Sequence, residues 1–163
     1  GISAENLYAI VAPTSSIVGS IQTSGRIVEM GVFKLCRLGL DPKLITHACG
    51  YAPIAPVHPE PARAMGRAND VLYFGGVTFY SVSRESDDRL RAIVSRSPSC
   101  SASVYVRPFY EIFRAAEFDL YRIDPDLFAP AVVSVSNSST GATFKAGKIN
   151  LENLKQSMGI VDT

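Results

Sequence analysis

Residues 52–61 read "APIAPVHPEP", with four prolines in ten positions: Pro53, Pro56, Pro59 and Pro61. Each removes a backbone donor and fixes φ, so neither a continuous helix nor a central strand can run through this stretch. It must be an ordered loop or a lid, and the fold has to be assembled from what lies on either side. Upstream, "NLYAIVA" (6–12) is a short apolar run stopped by Pro13, the pattern of a strand buried on both faces, and "LITHACGY" (44–51) is a second strand. Between them "PTSS" offers hydroxyls where a helix starts. From Ile17 to about Leu38, at about 100° per residue, Ile17, Ile21, Val28, Val32 and Leu35 form one stripe, which predicts a long, largely buried helix. Gly19, Gly25 and Gly31 weaken that helix, so either something packs closely on its backbone or it is irregular there.

Downstream, "NDVLYFGGVTFYSVS" (69–83) reads as strand on both sides of a hairpin or bulge at Gly75-Gly76. Residues 85–96 predict a surface helix opening with acids, a further helix starts near Pro108, and 129–147 reads as two strands joined by a turn at Ser139 to Gly141. "NLENLKQSMG" closes with a short helix. The expected class is α/β or α+β with a mixed sheet and packed helices. At 163 residues, 47% of them hydrophobic, the chain suits a single domain over 1–163.

Charge and cysteine usage narrow the function classes. Sixteen basic and fifteen acidic residues balance to +1 without a run of like sign, so no nucleic-acid surface is expected. Cys36, Cys49 and Cys100 match neither a disulfide framework nor a zinc pattern and read as packing thiols. No basic leader and no membrane span are found, which predicts a cytoplasmic location. His47 and His58 stand in no metal motif, so no metal site is expected. The nucleotide fingerprints G-x-G-x-x-G and G-x4-G-K-[ST] are missing. Ser15 and Ser16 lie outside any G-x-S-x-G and suit helix capping better than nucleophilic attack.

The loops 13–20 and 52–70 follow predicted strands, where open α/β sheets place ligand crevices. On the 17–38 helix, with Ile17 at zero, Gln22, Arg26, Glu29 and Phe33 all fall within about 120° to 180°, off the main stripe. Arg26 and Glu29 can be a solvated i, i+3 pair contributing a few tenths of a kcal/mol. They can equally be a charged pair facing a cleft, since the helix is apolar on more than one side.

"YAIVAPTSSIVGSIQTSGRIVEMGVFK", "APIAP", "MGRANDVLYFGG", "YRIDPDLFAPAVV" and "STGATFKAGKIN", in this order, resemble the C-terminal half of the methenyltetrahydromethanopterin cyclohydrolases. The resemblance implies one half of a two-domain architecture with a pocket between two α/β halves. It implies hydrolysis of 5,10-methenyl-tetrahydromethanopterin to the 5-formyl form, reversible and without metal or organic cofactor, in one-carbon metabolism of methanogenesis or formaldehyde oxidation. Its partners are then a tetrahydromethanopterin derivative, the N-terminal half of the same enzyme or a separate subunit, and further copies in a homo-oligomer. Arg26 and Glu29 in "GRIVE" fall on the family's catalytic arginine and glutamate. Pro53, Arg67, Asn69 and Asp70 fall on motifs expected to line or support the substrate pocket. A competing reading is a non-catalytic pterin-binding or assembly domain.

Overall fold

Strands form where β-branched and aromatic residues run on from a glycine or proline break. β1 is Ile45–Tyr51, β2 is Val77–Val82 directly after Gly75-Gly76, β3 is Val132–Asn137 after Pro130, and β4 is Thr143–Gly147. In the computed structural model, which describes residues 1–160, they lie side by side in chain order as one mixed sheet. β1 is antiparallel to β2, β2 is parallel to β3 with Tyr80 opposite Val135, and β3 is antiparallel to β4. The parallel step requires a long crossover, and residues 83–131 supply it with α4 (Asp87–Ser95) and α5 (Phe109–Ala115). The chain is therefore α/β. The expected turn between the last two strands is present: Asn137 accepts from Gly141 N–H at 2.8 Å through its carbonyl and from Ser139 N–H at 3.0 Å through its side chain. α6 (Leu151–Met158) ends the described fold.

Four expectations differ from the structure, three in the backbone and one in the cysteines. Residues 6–12 form no strand. Leu7, Tyr8, Ile10 and Val11 are 73–101% exposed, since no strand among the described residues lies beside them to complete a ladder. The second difference is at 69–83, where the apolar run "VLYF" belongs to α3 (Pro61–Gly75), with the strand starting only at Val77. Every residue from Asp70 to Gly75 is buried, and an apolar run without a polar side is the pattern of a core helix as well as of a core strand.

The third concerns the long helix. It is two helices, α1 (Ile17–Ser24) and α2 (Ile27–Arg37), broken at Gly25-Arg26. The buried face of α1 consists of Gly19, Ser20 and Ser24, because Ser20 Oγ donates to the Ala55 carbonyl and Ser24 Oγ to the Pro53 carbonyl, both at 2.7 Å. The proline loop is thus strapped to the hydroxyl side of α1, and Ile17, Val18 and Ile21 turn outward, about half exposed. Of the three cysteines, Cys36 is partly buried, while Cys49 and Cys100 are exposed rather than packed.

Two large apolar clusters and a small third one of Val77, Ala131 and Val132 make the core. One large cluster gathers α3 and α5 with Ile123 and Leu127; the other packs Leu35, Leu90 and Ile93 on Tyr80, Val82, Val133 and Val135 of the sheet. α2 joins them, with Ile27 in the first and Leu35 in the second. Its close approach to the sheet requires Gly31, where a Cβ would run into the Tyr80 phenol ring, 2.9 Å from Cζ. Tyr80 Oη donates to the Val28 carbonyl at 2.9 Å. α2 is held by this inner side, which leaves the opposite side free for other work. No helix among the described residues is long and apolar enough to cross a membrane.

Candidate functional site

The free side of α2 faces a cavity of about 440 Å³. α1, α2 and the break between them contribute Gln22, Thr23, Arg26, Glu29, Met30 and Phe33; α3 contributes Met65, Asn69 and Leu72; Leu120 and Phe128 close it from the far end of the crossover. Thr14 reaches the rim because the backbone at Pro13-Thr14 passes tightly over Gly19, whose Cβ, were there one, would lie 3.0 Å from Thr14 Cα. All four residues grouped by the helical wheel line the cavity despite the break. The reason is that Gly25 (φ −63°, ψ −17°) and Arg26 (φ −87°, ψ 8°) stay near helical angles, so the rotation along the chain is nearly preserved.

Arg26 and Glu29 meet as a fork. Nε donates to Oε2 at 3.1 Å and Nη2 to Oε1 at 2.5 Å. Both side chains are more than half exposed, at the mouth of the cavity rather than in its depth. Glu29 is in the first turn of α2, where the helix dipole favours an anion. The hydrogen bonds from Arg26 hold its carboxyl below the usual range, burial opposes this, and the arginine charge adds to it. Arg26 is raised in turn, chiefly by the same hydrogen bonds. The pair is ionised at neutral pH.

The other candidates divide between two sides of α3. Asn69 faces the cavity just described. Arg67 and Asp70 line a second one of about 320 Å³ with His58, Tyr110 and Ser157. Arg67 donates to the carbonyls of Val57 (3.2 Å) and Met158 (3.5 Å). Asp70 is 2% exposed and accepts from Phe109 N–H at 2.9 Å, capping α5, whose own N-cap residue Pro108 offers no side chain for the purpose. Burial pushes the Asp70 carboxyl up to about 7, against the lowering bonds from Phe109 N–H and Ser157. Pro53 is exposed, and its carbonyl holds Ser24.

Leu120 and Phe128 carry no local signal of a site, since they lie far from the pair in sequence. Their segment is tied to α2 by Lys34, almost completely buried, whose Nζ donates to the Asp126 carbonyl and meets its carboxylate, both at 3.1 Å. Arg37 reaches the same carboxylate at 3.4 Å. Among the described residues, no group of three or more His, Cys, Asp and Glu side chains is gathered for a metal ion.

The profile of the family described as cyclohydrolase (MCH) matches residues 1–158. The chain belongs to this family. Among curated proteins it is similar to the methenyltetrahydromethanopterin cyclohydrolase of Methanocaldococcus jannaschii, 44% identical over 160 residues, which cover 98% of this chain and 50% of that protein. The namesake in Methanothermobacter thermautotrophicus is 46% identical over 160 residues, with the same coverage. That of Methanococcus vannielii is 42% identical over 159 residues, covering 97% and 49%. The chain spans about half the length of the curated relatives it matches.

Proposed function

We propose that the full-length protein containing this chain is a cytoplasmic methenyltetrahydromethanopterin cyclohydrolase, with Glu29 as general base and Arg26 as its orienting partner. The observation that carries the reading is an ionised, forked Arg26–Glu29 pair at the mouth of a half-apolar cavity in a chain of the cyclohydrolase family. The methenyl carbon, flanked by two nitrogens sharing a positive charge, is an electrophile for which neutral water is a poor partner. Glu29 takes one proton as the water oxygen bonds to that carbon. The adduct's remaining hydroxyl proton ends on N10 as the carbon–N10 bond breaks, leaving the formyl group on N5. One proton is released overall, so rising pH favours the formyl side. The step has no redox change and needs neither metal nor organic cofactor. A carboxylate held low by Arg26 is a weaker base, but it is fully available and fixed in direction.

Met30, Met65, Leu72, Leu120 and Phe128 offer apolar surface to the flat ring system of a pterin, with Asn69 and Gln22 as polar groups. Pro53, Arg67 and Asp70 support these walls. The rest of the cleft comes from the half of the family chain that these residues do not cover, or from a partner copy. The exposed Ile17, Val18 and Ile21 and the unpaired run at 7–11 are apolar surfaces suited to such a neighbour.

Decay of the methenyl cation's absorbance, followed with the full-length protein, tests the reading. Turnover above the spontaneous rate is expected. A folded full-length protein that leaves the cation untouched overturns it, and saturable pterin binding without turnover would then favour a binding or assembly role.

A further inference from the structure

Asparagine weakens a helix interior, yet Asn69 occupies the middle of α3. Met65, Asn69 and Leu72 are spaced to share one side of this helix and are its contribution to the cavity, so Asn69 is the polar group on an otherwise apolar wall. Its amide is held from both directions along α3. Nδ2 donates to the Met65 carbonyl at 2.9 Å, and Oδ1 accepts from Tyr73 Oη at 3.2 Å. The carbonyl of Met65 can only accept, which fixes which end of the amide is nitrogen. Tyr73 is 1% exposed, wedged between the rings of Phe109 and Phe128 at centroid separations of 5.7 and 6.2 Å. Its hydroxyl is sealed from solvent, and Asn69 Oδ1 is the acceptor it reaches.

An amide nitrogen carries two hydrogens, and Met65 takes one. We propose that Asn69 offers the other to an acceptor on the bound substrate, a ring carbonyl oxygen or ring nitrogen of the pterin, and that Tyr73 is the positioning residue that keeps the amide in this orientation. The inference rests on the cyclohydrolase reading for the identity of the ligand. Without the Tyr73 hydroxyl the amide keeps its bond to the Met65 carbonyl but loses the second anchor at Oδ1, so the donor is aimed less firmly at the acceptor on the ligand. A substrate contact so arranged selects a ligand by hydrogen-bond polarity, and a mismatch leaves a half-buried group unpaired.

A purely structural account is that Asn69 exists to satisfy the buried Tyr73 hydroxyl. Variants of the full-length protein separate the two. N69D keeps an acceptor for Tyr73 and loses the donor; Y73F removes the hydroxyl and with it any structural need for Asn69. The readouts are KM and kcat from methenyl absorbance, the melting temperature, and the Kd of the 5-formyl product by calorimetry. N69A and N69D are expected to raise KM and Kd roughly tenfold, and N69A to do so in the Y73F background as well. Y73F alone should raise both by a few-fold, mainly through KM, with little change in melting temperature. N69D with wild-type KM and Kd, or an N69A penalty that disappears in the Y73F background, overturns the donor role. Y73F with wild-type KM and Kd overturns the positioning role. If the wild-type protein shows no turnover, the cyclohydrolase reading fails by itself, and the calorimetric series on the same variants still decides the contact.

Discussion

Glu29 and Asp70 line cavities on opposite sides of α3, and their surroundings drive them apart. Glu29 is more than half exposed, gripped by two guanidinium bonds, and held below its ordinary pKa. Asp70 is 2% exposed, bonded to a backbone N–H, and pushed up to about 7. The first is charged, reachable and aimed by a partner, as a base for water must be. The second is half protonated near neutrality and spends its acceptor on capping a helix. A perturbed pKa by itself does not distinguish a reactive carboxylate from a structural one. Access and the identity of the bonded partner do.

The largest expected effect tests the proposed base. In the full-length protein E29Q keeps the shape and removes the base, so turnover should fall by about 10² to 10⁴ with KM little changed. Retained turnover would place the base elsewhere. Next comes Arg26. Because Nε and Nη2 both engage the carboxylate, R26K should lose nearly as much activity as R26A, on the order of tenfold or more, since lysine cannot form a fork. R26A with E29Q should be little worse than E29Q alone; additive losses in that cycle would mean that Arg26 acts directly on the substrate.

The structural side is sharpened by pH. Between the ordinary aspartate pKa and about 7, the unfolded chain has lost the Asp70 proton and the folded chain keeps it, so stability falls as pH rises and levels off above 7. The slope from this group is at most about 1.4 kcal/mol per pH unit. D70N, which still accepts from Phe109 N–H, should flatten the melting temperature between pH 5 and pH 7 relative to the wild type. Equal slopes in the two proteins would show that Asp70 is ionised throughout. The smallest effect is the stability cost of E29Q itself, a few tenths of a kcal/mol as for other exposed i, i+3 pairs. A loss of several kcal/mol in chemical unfolding would turn Glu29 into a structural residue and erase the contrast.

The cavity-lining face was legible in the sequence because one periodicity held. Gln22, Arg26, Glu29 and Phe33 share a side of the wheel, and the near-helical angles at Gly25 and Arg26 carried that side through the break. Periodicity failed where it had no contrast to work with. "VLYF" in α3 is buried all round, so the last turns of the helix that divides the two cavities looked like a strand. The isoleucines of α1 promised an inward stripe, but the serine hydroxyls bonded to the proline loop instead. That preference depends on carbonyls about thirty residues away and leaves no mark on local spacing. Leu120 and Phe128 reach the cavity through the crossover, a tertiary fact without a local pattern.

The Lys34–Asp126 clamp has a mechanical consequence. α2 carries Glu29 on its first turn and Lys34 near its end, and Lys34 grips the segment that holds Leu120 and Phe128. Glu29 and the aromatic end wall are therefore fixed jaws of one calliper, with their gap set by the helix. α3 is anchored in the core from Asp70 to Gly75, so any opening or tightening on a ligand has to come from the exposed approach that delivers Thr14. The face of the ligand turned toward Glu29 meets a rigid gauge, and the opposite face meets the part of the protein that can adjust.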